Sequence, residues 1–226
     1  MGKKQKDILY IVGALVLYII HLYITTFLMD LAYTRCSPLV YMIVKWLLKW
    51  SRLLIPVWFM KMEHITWAEI GITTNKLPSQ AITGILIGSC ETFVIVGSTL
   101  LFSSKEQLGK PMYEEGWLYS IYLFYAIFCV GLGEEIFYRG YLYKKLQDIK
   151  NSKWFAIIIS SIIFGMGHIV GYDNVLQAAP QVLFTAMSGI FYCILREKVR
   201  GCTLIALIVA HGIYDFWVGF LPYILA

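Results

Sequence analysis

Charged side chains are scarce in this 226-residue chain. Lys, Arg, Asp and Glu together make up 15% of the residues, whereas hydrophobic residues make up 59%. Soluble globular domains carry about 25% charged residues and lack repeated apolar runs of about 20 residues, the length that crosses a bilayer as a helix. The shortage of charge therefore excludes a soluble domain and predicts a polytopic protein embedded in a lipid bilayer.

Three further absences narrow the class of protein. Segments of about ten residues with alternating apolar and polar side chains are missing, which excludes a transmembrane β-barrel. The five cysteines are dispersed without a CxxC pair, which argues against a disulfide framework or a structural zinc site. The net charge of +5 comes mostly from short connecting segments, where basic residues set membrane topology, so no nucleic-acid partner is expected.

The apolar runs predict an all-α fold, a polytopic transmembrane helical bundle of about seven helices (six to eight). The predicted helices cover residues 8–28, 39–60, 81–102, 117–143, 154–170, 178–195 and 203–221. GxxxG spacings at Gly84/Gly88 and Gly167/Gly171 would permit close helix contact, although glycine is common enough in membrane helices for them to arise by chance. The oligomeric state is left open.

Clusters of basic residues predict the orientation. They precede the first helix and fill the fourth-to-fifth and sixth-to-seventh connections: Lys3, Lys4, Lys6, Lys144, Lys145, Lys150, Lys153, Arg196, Lys198 and Arg200. With about seven crossings and a cytoplasmic N-terminus, all of these clusters fall on the inside, where basic loops are enriched.

The segment 39–60 is unusual because it carries cations along one helical face. Lys45, Lys49 and Arg52 follow an i, i+4, i+7 spacing. An interfacial amphipathic helix is one interpretation. A crossing helix is favoured, because without that crossing every later basic loop would lie outside. Its cationic face is then expected to point toward other helices or water.

The run GEEIFYRG places three charges in an apolar stretch, where each is costly. Glu135 and Arg139 are one helical turn apart, the spacing of an ion pair. Glu134 is rotated about 100° away, so one arginine cannot easily satisfy both carboxylates. We predict a structural pair, Glu135 with Arg139, and a carboxylate, Glu134, that faces a polar cleft and suits a general base. A purely structural charge cluster is the alternative.

Two histidines lie on later helices. His168 ends the run SIIFGMGH, where Phe164 is one turn earlier and can pack on its ring. His211 opens HGIYD, where Asp215 is one turn later and can orient it. His21 stands alone in the first helix and is interpreted as a core or interfacial histidine.

Estimated depths allow these groups to meet. At about 1.5 Å per residue, Glu134 lies roughly 15 Å in from Lys144, His211 roughly 12 Å from its helix start and His168 roughly 21 Å. We therefore expect Glu134, His168 and His211 to share a cavity near mid-membrane that opens to the cytoplasmic side.

The three runs also carry a family resemblance. EEIFYR fits EExxxR, FGMGH fits FxxxH and HGIYD fits HxxxN/D, in the order and on the successive helices of one family. Over roughly residues 117–220 the chain resembles the CPBP family, which includes type II CAAX prenyl proteases and bacteriocin-processing or bacteriocin-immunity membrane proteins, also called the abortive-infection family. The resemblance implies one membrane domain, 1–226, in which 1–116 holds N-terminal helices and a cytoplasmic loop and 117–221 the catalytic core.

The resemblance implies an intramembrane endopeptidase, a hydrolase acting on a hydrophobic peptide or a membrane-protein segment. Glu134 would activate water as general base with His168 beside it, and His211 and Asp215 would stabilise the oxyanion. Prenyl proteases usually have Asn where this chain has Asp215. An ionised carboxylate can only accept hydrogen bonds, which puts the oxyanion role of Asp215 in question.

No metal is expected, because a glutamate–histidine pair can activate water alone; a His₂Glu zinc site of Glu134, His168 and His211 is the alternative. The Ile- and Lys-rich composition is typical of bacteria, so a bacterial plasma membrane is expected. Competing hypotheses are a non-catalytic immunity or scaffolding protein that binds a peptide or sensor kinase, and an ion or proton transporter.

Overall fold

The computed structural model describes residues 2–102, 108–170 and 172–225, and every regular element in these ranges is helical. The helices are α1 (Lys3–Arg35), α2 (Pro38–Ser51), α3 (Leu54–Met62), α4 (Leu77–Phe102), α5 (Leu118–Lys150), α6 (Lys153–Met166, continued by a 3₁₀ turn over Gly167–Ile169), α7 (Val175–Lys198) and α8 (Leu204–Leu225). The predicted all-α fold is confirmed.

Length and apolarity make this an integral membrane protein. Within the described ranges, α1, α4, α5, α7 and α8 are long and apolar enough to cross a membrane, and α6 with its 3₁₀ turn is a shorter apolar helix. Large apolar side chains such as Phe27, Phe93 and Leu176 are exposed on these helices. In water such surfaces would be a liability, whereas in lipid they are the expected outer face.

The single helix predicted over 39–60 is wrong in detail, because the chain turns at Arg52 and forms α2 and α3 instead. Together these helices run back along α1. Ring contacts join Tyr33 to Tyr41 near one end and Tyr10 to Phe59 near the other. Neither helix alone has the length of about 20 residues that spans a bilayer, so the return is made by the pair.

Ion pairs between charged residues join helix ends in two groups. Lys145, buried near the end of α5, forms ion pairs with Asp7 at the start of α1 and with Glu63 just after α3. Lys153 at the start of α6 pairs with Glu197 near the end of α7. The basic clusters that flank these residues therefore lie at one end of the structure, as predicted. The cytoplasmic assignment of that end remains a prediction.

The chain divides into two compact units. Unit 1 comprises residues 1–72 and 133–200, and unit 2 comprises residues 73–132 and 201–226. In unit 2, α4 packs closely on α8 at Gly84 and Gly88. A Cβ at these glycines would lie 2.4 Å from the Ala206 carbonyl oxygen and 2.3 Å from that of Ala210. This GxxxG spacing thus serves a contact within the chain, whereas Gly171 of the second spacing lies outside the described residues.

Candidate active site

The diglutamate lies between two stretches of widened helix. Leu132–Glu135 is α-helical, whereas Ala126–Gly131 before it and Ile136–Leu142 after it have π-helical hydrogen bonding. Such segments are rare and occur frequently at functional sites. The widening changes which side chains share a face before and after the diglutamate, although Glu135 keeps the i, i+4 partner of a regular helix.

Glu135 and Arg139 form the predicted ion pair. Nη1 of Arg139 donates to Oε1 of Glu135 at 2.9 Å, and the two side chains are 2% and 0% exposed. The guanidinium lies 3.9 Å from the centre of the Phe164 ring, with the Tyr192 ring farther off at 5.6 Å. Aromatic rings and the carboxylate therefore enclose this cation on several sides. The predicted ion pair is present, and its structural role stays a prediction.

Glu134 faces a polar cavity, as predicted. It also forms an ion pair with Arg52, a partner that was not predicted from the sequence. Nη1 of Arg52 donates to Oε1 of Glu134 at 3.1 Å, and these side chains are 7% and 9% exposed. The cavity has a volume of about 340 Å³. Its lining comes from α1, the end of α2, the α2–α3 turn, α5, the 3₁₀ turn after α6, the connection that follows it and α7: Tyr18, Leu22, Thr26, Met29, Lys49, Arg52, Glu134, Tyr138, Gly167, His168, Val170, Tyr172 and Gln181.

Arg52 is positioned by the turn between α2 and α3. The preceding residue, Ser51, hydrogen-bonds through Oγ to Nε2 of His21 on α1 at 2.7 Å. This contact gives Nε2 of His21 a hydrogen-bond partner inside the helical packing. On the other side, a Cβ at Gly133 would lie 3.9 Å from Cβ of Arg52, so the residue before Glu134 sits directly against the turn.

A common register aligns α3 with the second part of α5. The Arg52–Glu134 pair and the Lys145–Glu63 pair each join residues 82 positions apart in the chain. The two segments therefore run side by side in the same direction, with one ion pair at the cavity and one at the charged end. This register explains why the turn at Arg52 meets α5 at the diglutamate.

His168 lies in the 3₁₀ turn at the end of α6 and lines the same cavity as Glu134. Its Nδ1 is 3.0 Å from the carbonyl oxygen of Phe164, and its ring meets the Phe164 ring edge to face at 4.8 Å between centres. A carbonyl oxygen can only accept, so Nδ1 is the donor in this contact, and in the neutral imidazole Nε2 is then the acceptor nitrogen. The predicted packing of Phe164 on His168 is confirmed.

The glycines of the FGMGH run permit this arrangement. A Cβ at Gly165 would lie 2.5 Å from the Val182 carbonyl oxygen of α7, and a Cβ at Gly167 would lie 2.7 Å from the Tyr138 hydroxyl. Larger residues would push α6 away from α7 or displace Tyr138. The two glycines thus set the position of the turn that carries His168.

A second, apolar cavity of about 330 Å³ adjoins the first. The two cavities share Tyr18, Leu22, Tyr138, Gly167 and Val170 in their walls. The remaining lining comes from α1 and from α6 with its 3₁₀ turn: Leu15, Ile19, Tyr23, Ile163, Met166 and Ile169. An apolar chamber therefore lies directly beside the polar groups.

The third motif belongs to unit 2. On α8, Nε2 of His211 lies 3.7 Å from Oδ2 of Asp215, close enough for attraction but longer than a hydrogen bond. The Tyr122 hydroxyl donates to the backbone carbonyl of Asp215 at 3.4 Å.

Glu91, buried in α4, interacts electrostatically with Tyr214 and was not singled out from the sequence. A lone carboxylate in an apolar helix was the signal that could have identified it.

Residues 2–102, 108–170 and 172–225 contain no group of three or more His, Cys, Asp or Glu side chains arranged to hold a metal ion.

Comparison with known proteins agrees with the motifs. Residues 116–217 match the family described as "Type II CAAX prenyl endopeptidase Rce1-like". No curated protein and no solved structure gives a significant match. The matched segment contains the diglutamate, both motif histidines and Asp215, and it excludes Arg52. The resemblance stated from the sequence is confirmed: through residues 116–217, this chain is related to the type II CAAX prenyl endopeptidases, a family of membrane proteases.

Proposed function

We propose that the protein is an intramembrane endopeptidase that hydrolyses a peptide bond with water activated by Glu134 and His168. One observation carries this proposal. A buried carboxylate and an imidazole with a defined acceptor nitrogen line one polar cavity, inside the segment that matches a protease family. General acid–base groups that share a cavity are the arrangement that proton transfer to and from water requires.

The chemistry follows from the hydrogen bonds of these two groups. A carboxylate has about four lone-pair sites, so the bond from Arg52 leaves Glu134 acceptor capacity for a water proton. Nε2 of His168 can accept a second hydrogen bond from the same water or return a proton to the leaving amine. Attack of the water on the peptide carbonyl forms a tetrahedral intermediate, and proton transfer to the amine nitrogen completes the cleavage.

The neighbouring apolar cavity supports a hydrophobic substrate. It shares its wall with the polar cavity, and Ile19, Tyr23 and Met166 of its lining are exposed on the outer, lipid-facing side. We propose that an apolar side chain of the substrate occupies it while the scissile bond lies among the polar groups. A hydrophobic peptide or membrane-protein segment meets this requirement.

His211 and Asp215 are proposed to assist the same reaction, as the family pattern implies. Asp215 lies 3.7 Å from His211 and can orient its ring through electrostatic attraction. In this role Asp215 acts as a positioning residue and His211 supplies the donor, which avoids the difficulty of an acceptor-only carboxylate facing an oxyanion.

The reaction is proposed to need no metal. Arg52 already neutralises the Glu134 carboxylate, and a divalent cation would have to compete with that guanidinium for the same lone pairs. We expect full cleavage activity after removal of bound metals with a chelator, measured against an untreated sample. Loss of activity that added zinc restores would contradict this.

The proposal is tested by incubating the purified protein in lipid nanodiscs with a library of hydrophobic peptides and identifying products by mass spectrometry. We expect cleavage by the wild-type protein and by Asp148→Asn, a control at an exposed carboxylate paired with Lys144. We expect none from Glu134→Gln or His168→Ala. Equal cleavage by all four proteins would contradict the proposal, and peptide binding without cleavage would favour a non-catalytic role.

A further inference from the structure

We propose that Arg52 is a catalytic residue, which stabilises the negative charge that develops on the carbonyl oxygen of the scissile bond. The inference rests on the proposed peptidase function and adds a residue that lies outside the matched segment 116–217. Arg52 comes from the turn between α2 and α3, 82 positions before its partner Glu134.

The position of Arg52 brings it within reach of the reacting atoms. Its guanidinium lines the polar cavity and lies 3.1 Å from the carboxylate that binds the attacking water. A carbonyl carbon attacked by that water places its oxygen about one hydrogen-bond length from neighbouring donors. Arg52 is therefore close enough to touch the substrate while it still holds Glu134.

The number of donors is sufficient for both tasks. A guanidinium has five N–H groups in a fixed plane. Glu134 accepts a hydrogen bond from one of them, and Tyr18 lies in the same cavity wall. Because the fork is planar and lies in the cavity wall, a substrate oxygen placed beside it can meet the guanidinium without movement of the side chain, which is the preorganisation that oxyanion stabilisation requires.

The charges that line the cavity also support a role for Arg52 in stabilising negative charge. Its described lining contains two cations, Lys49 and Arg52, against one carboxylate, Glu134. Such a lining favours a reaction in which negative charge develops. A buried guanidinium in this lining can donate hydrogen bonds to an oxygen that becomes negative during the reaction.

The proposed step is balanced without any further reactant. The water oxygen bonds to the carbonyl carbon, and its proton passes to Glu134 or His168. The electron pair of the C=O bond moves to the oxygen, whose charge Arg52 stabilises. When the C=O bond re-forms, the C–N bond breaks and the amine nitrogen takes the proton. Arg52 donates hydrogen bonds throughout and loses no proton.

The test compares Arg52→Ala and Arg52→Lys with the wild-type protein, using the peptide cleaved best in the library screen. We expect Arg52→Ala to lower kcat by about 100-fold with a smaller change in KM, because the contact is strongest in the transition state. Arg52→Lys, which keeps the charge and loses the fork, should recover part of kcat. Added methylguanidine should raise kcat of Arg52→Ala and leave that of Glu134→Gln unchanged.

Three results distinguish the possible failures. Wild-type kcat in Arg52→Ala, with Glu134→Gln inactive, overturns the role of Arg52 and leaves the peptidase function intact. Should Arg52→Ala not fold, Arg52→Lys with wild-type kcat at wild-type thermal stability overturns it equally. A wild-type protein that cleaves no peptide overturns the proposed function and this inference together.

Discussion

Two neighbouring glutamates on α5 form two buried pairs with arginine, and the pairs differ in what surrounds them. Glu135 and Arg139 are one turn apart on the same helix, and the guanidinium lies against the Phe164 ring at 3.9 Å. Glu134 and Arg52 come from distant parts of the chain, and both line a cavity. Depth of burial hardly separates them, since all four side chains are less than a tenth exposed.

The difference teaches that burial of a charge does not by itself identify a working residue. A buried pair whose lone pairs and protons are enclosed by protein contributes to structure, and removing one partner leaves an uncompensated charge. A buried pair that borders a cavity keeps hydrogen-bonding capacity for water or substrate. By this criterion Glu134 is assigned to chemistry and Glu135 to stability.

The largest effect is expected from Glu134→Gln. The amide cannot accept a proton from water, so kcat should fall by about 10³-fold or more, within the range attributed to general bases. Thermal unfolding in detergent should change less than in Glu135→Gln, because water in the cavity can solvate Arg52. A peptide cleavage assay with matched circular dichroism melting curves checks both expectations. Wild-type kcat in this variant would contradict the assignment of Glu134.

Glu135→Gln should reverse the pattern. It leaves the enclosed Arg139 without its counter-charge, and breaking a buried pair typically costs about 3–5 kcal/mol. We expect a large fall in the unfolding midpoint, while protein that remains folded at low temperature still cleaves the peptide. An unchanged midpoint, measured beside the Asp148→Asn control, would show that the enclosed pair is not structural.

Phe164→Leu should moderately affect both the enclosed pair and the histidine of the cavity. The ring covers Arg139 and meets the edge of His168, so its loss removes a cation–π contact worth about 1–2 kcal/mol and loosens the imidazole. We expect a lower unfolding midpoint and a several-fold fall in kcat. Phe93→Leu, at an exposed phenylalanine on α4, serves as the control. Identical behaviour of the two variants would contradict a role of Phe164 in supporting both Arg139 and His168.

Local spacing explains why one pair could be predicted and the other could not. The i, i+4 relation of Glu135 and Arg139 is visible in the sequence, as are the apolar runs that became helices. The partner of Glu134 depends on the register of α3 against α5 and on the turn at Arg52, which are tertiary features. A signal did exist, because Arg52 ended a cationic face in an apolar segment and such a charge needs an anion when it is buried.

The same limit applies to the charged end of the structure. Lys145 and Lys153 were interpreted only as topological signals, yet they pair with Asp7, Glu63 and Glu197. Basic residues beside helix ends satisfy both roles, and the sequence does not reveal which acidic groups the folding of distant helices brings to them.

The smallest effect is expected at Glu69, a glutamate that is exposed, unlike the two buried glutamates of α5. Its carboxylate accepts hydrogen bonds from the backbone N–H and the hydroxyl of Thr66, and these bonds lower its pKa, the backbone bond most. The lowered pKa means that its contribution to stability is present above its unfolded-state pKa and is lost as pH falls through the folded-state value. We expect Glu69→Gln to have an unfolding midpoint close to that of the wild type at neutral pH. The midpoint of the variant should fall slightly less than that of the wild type as the pH is lowered, which melting curves between pH 3 and 7 can measure. A large loss at neutral pH would contradict this.

Hydrolysis by water that Glu134 activates is tested most directly by cleavage in ¹⁸O-labelled water, with mass spectrometry of the products of the wild-type protein and of Glu134→Gln. We predict that the new C-terminal carboxylate from the wild type carries one ¹⁸O atom and that Glu134→Gln yields no such product. Labelled product from Glu134→Gln at the wild-type rate would contradict the assignment of Glu134 as the residue that activates water.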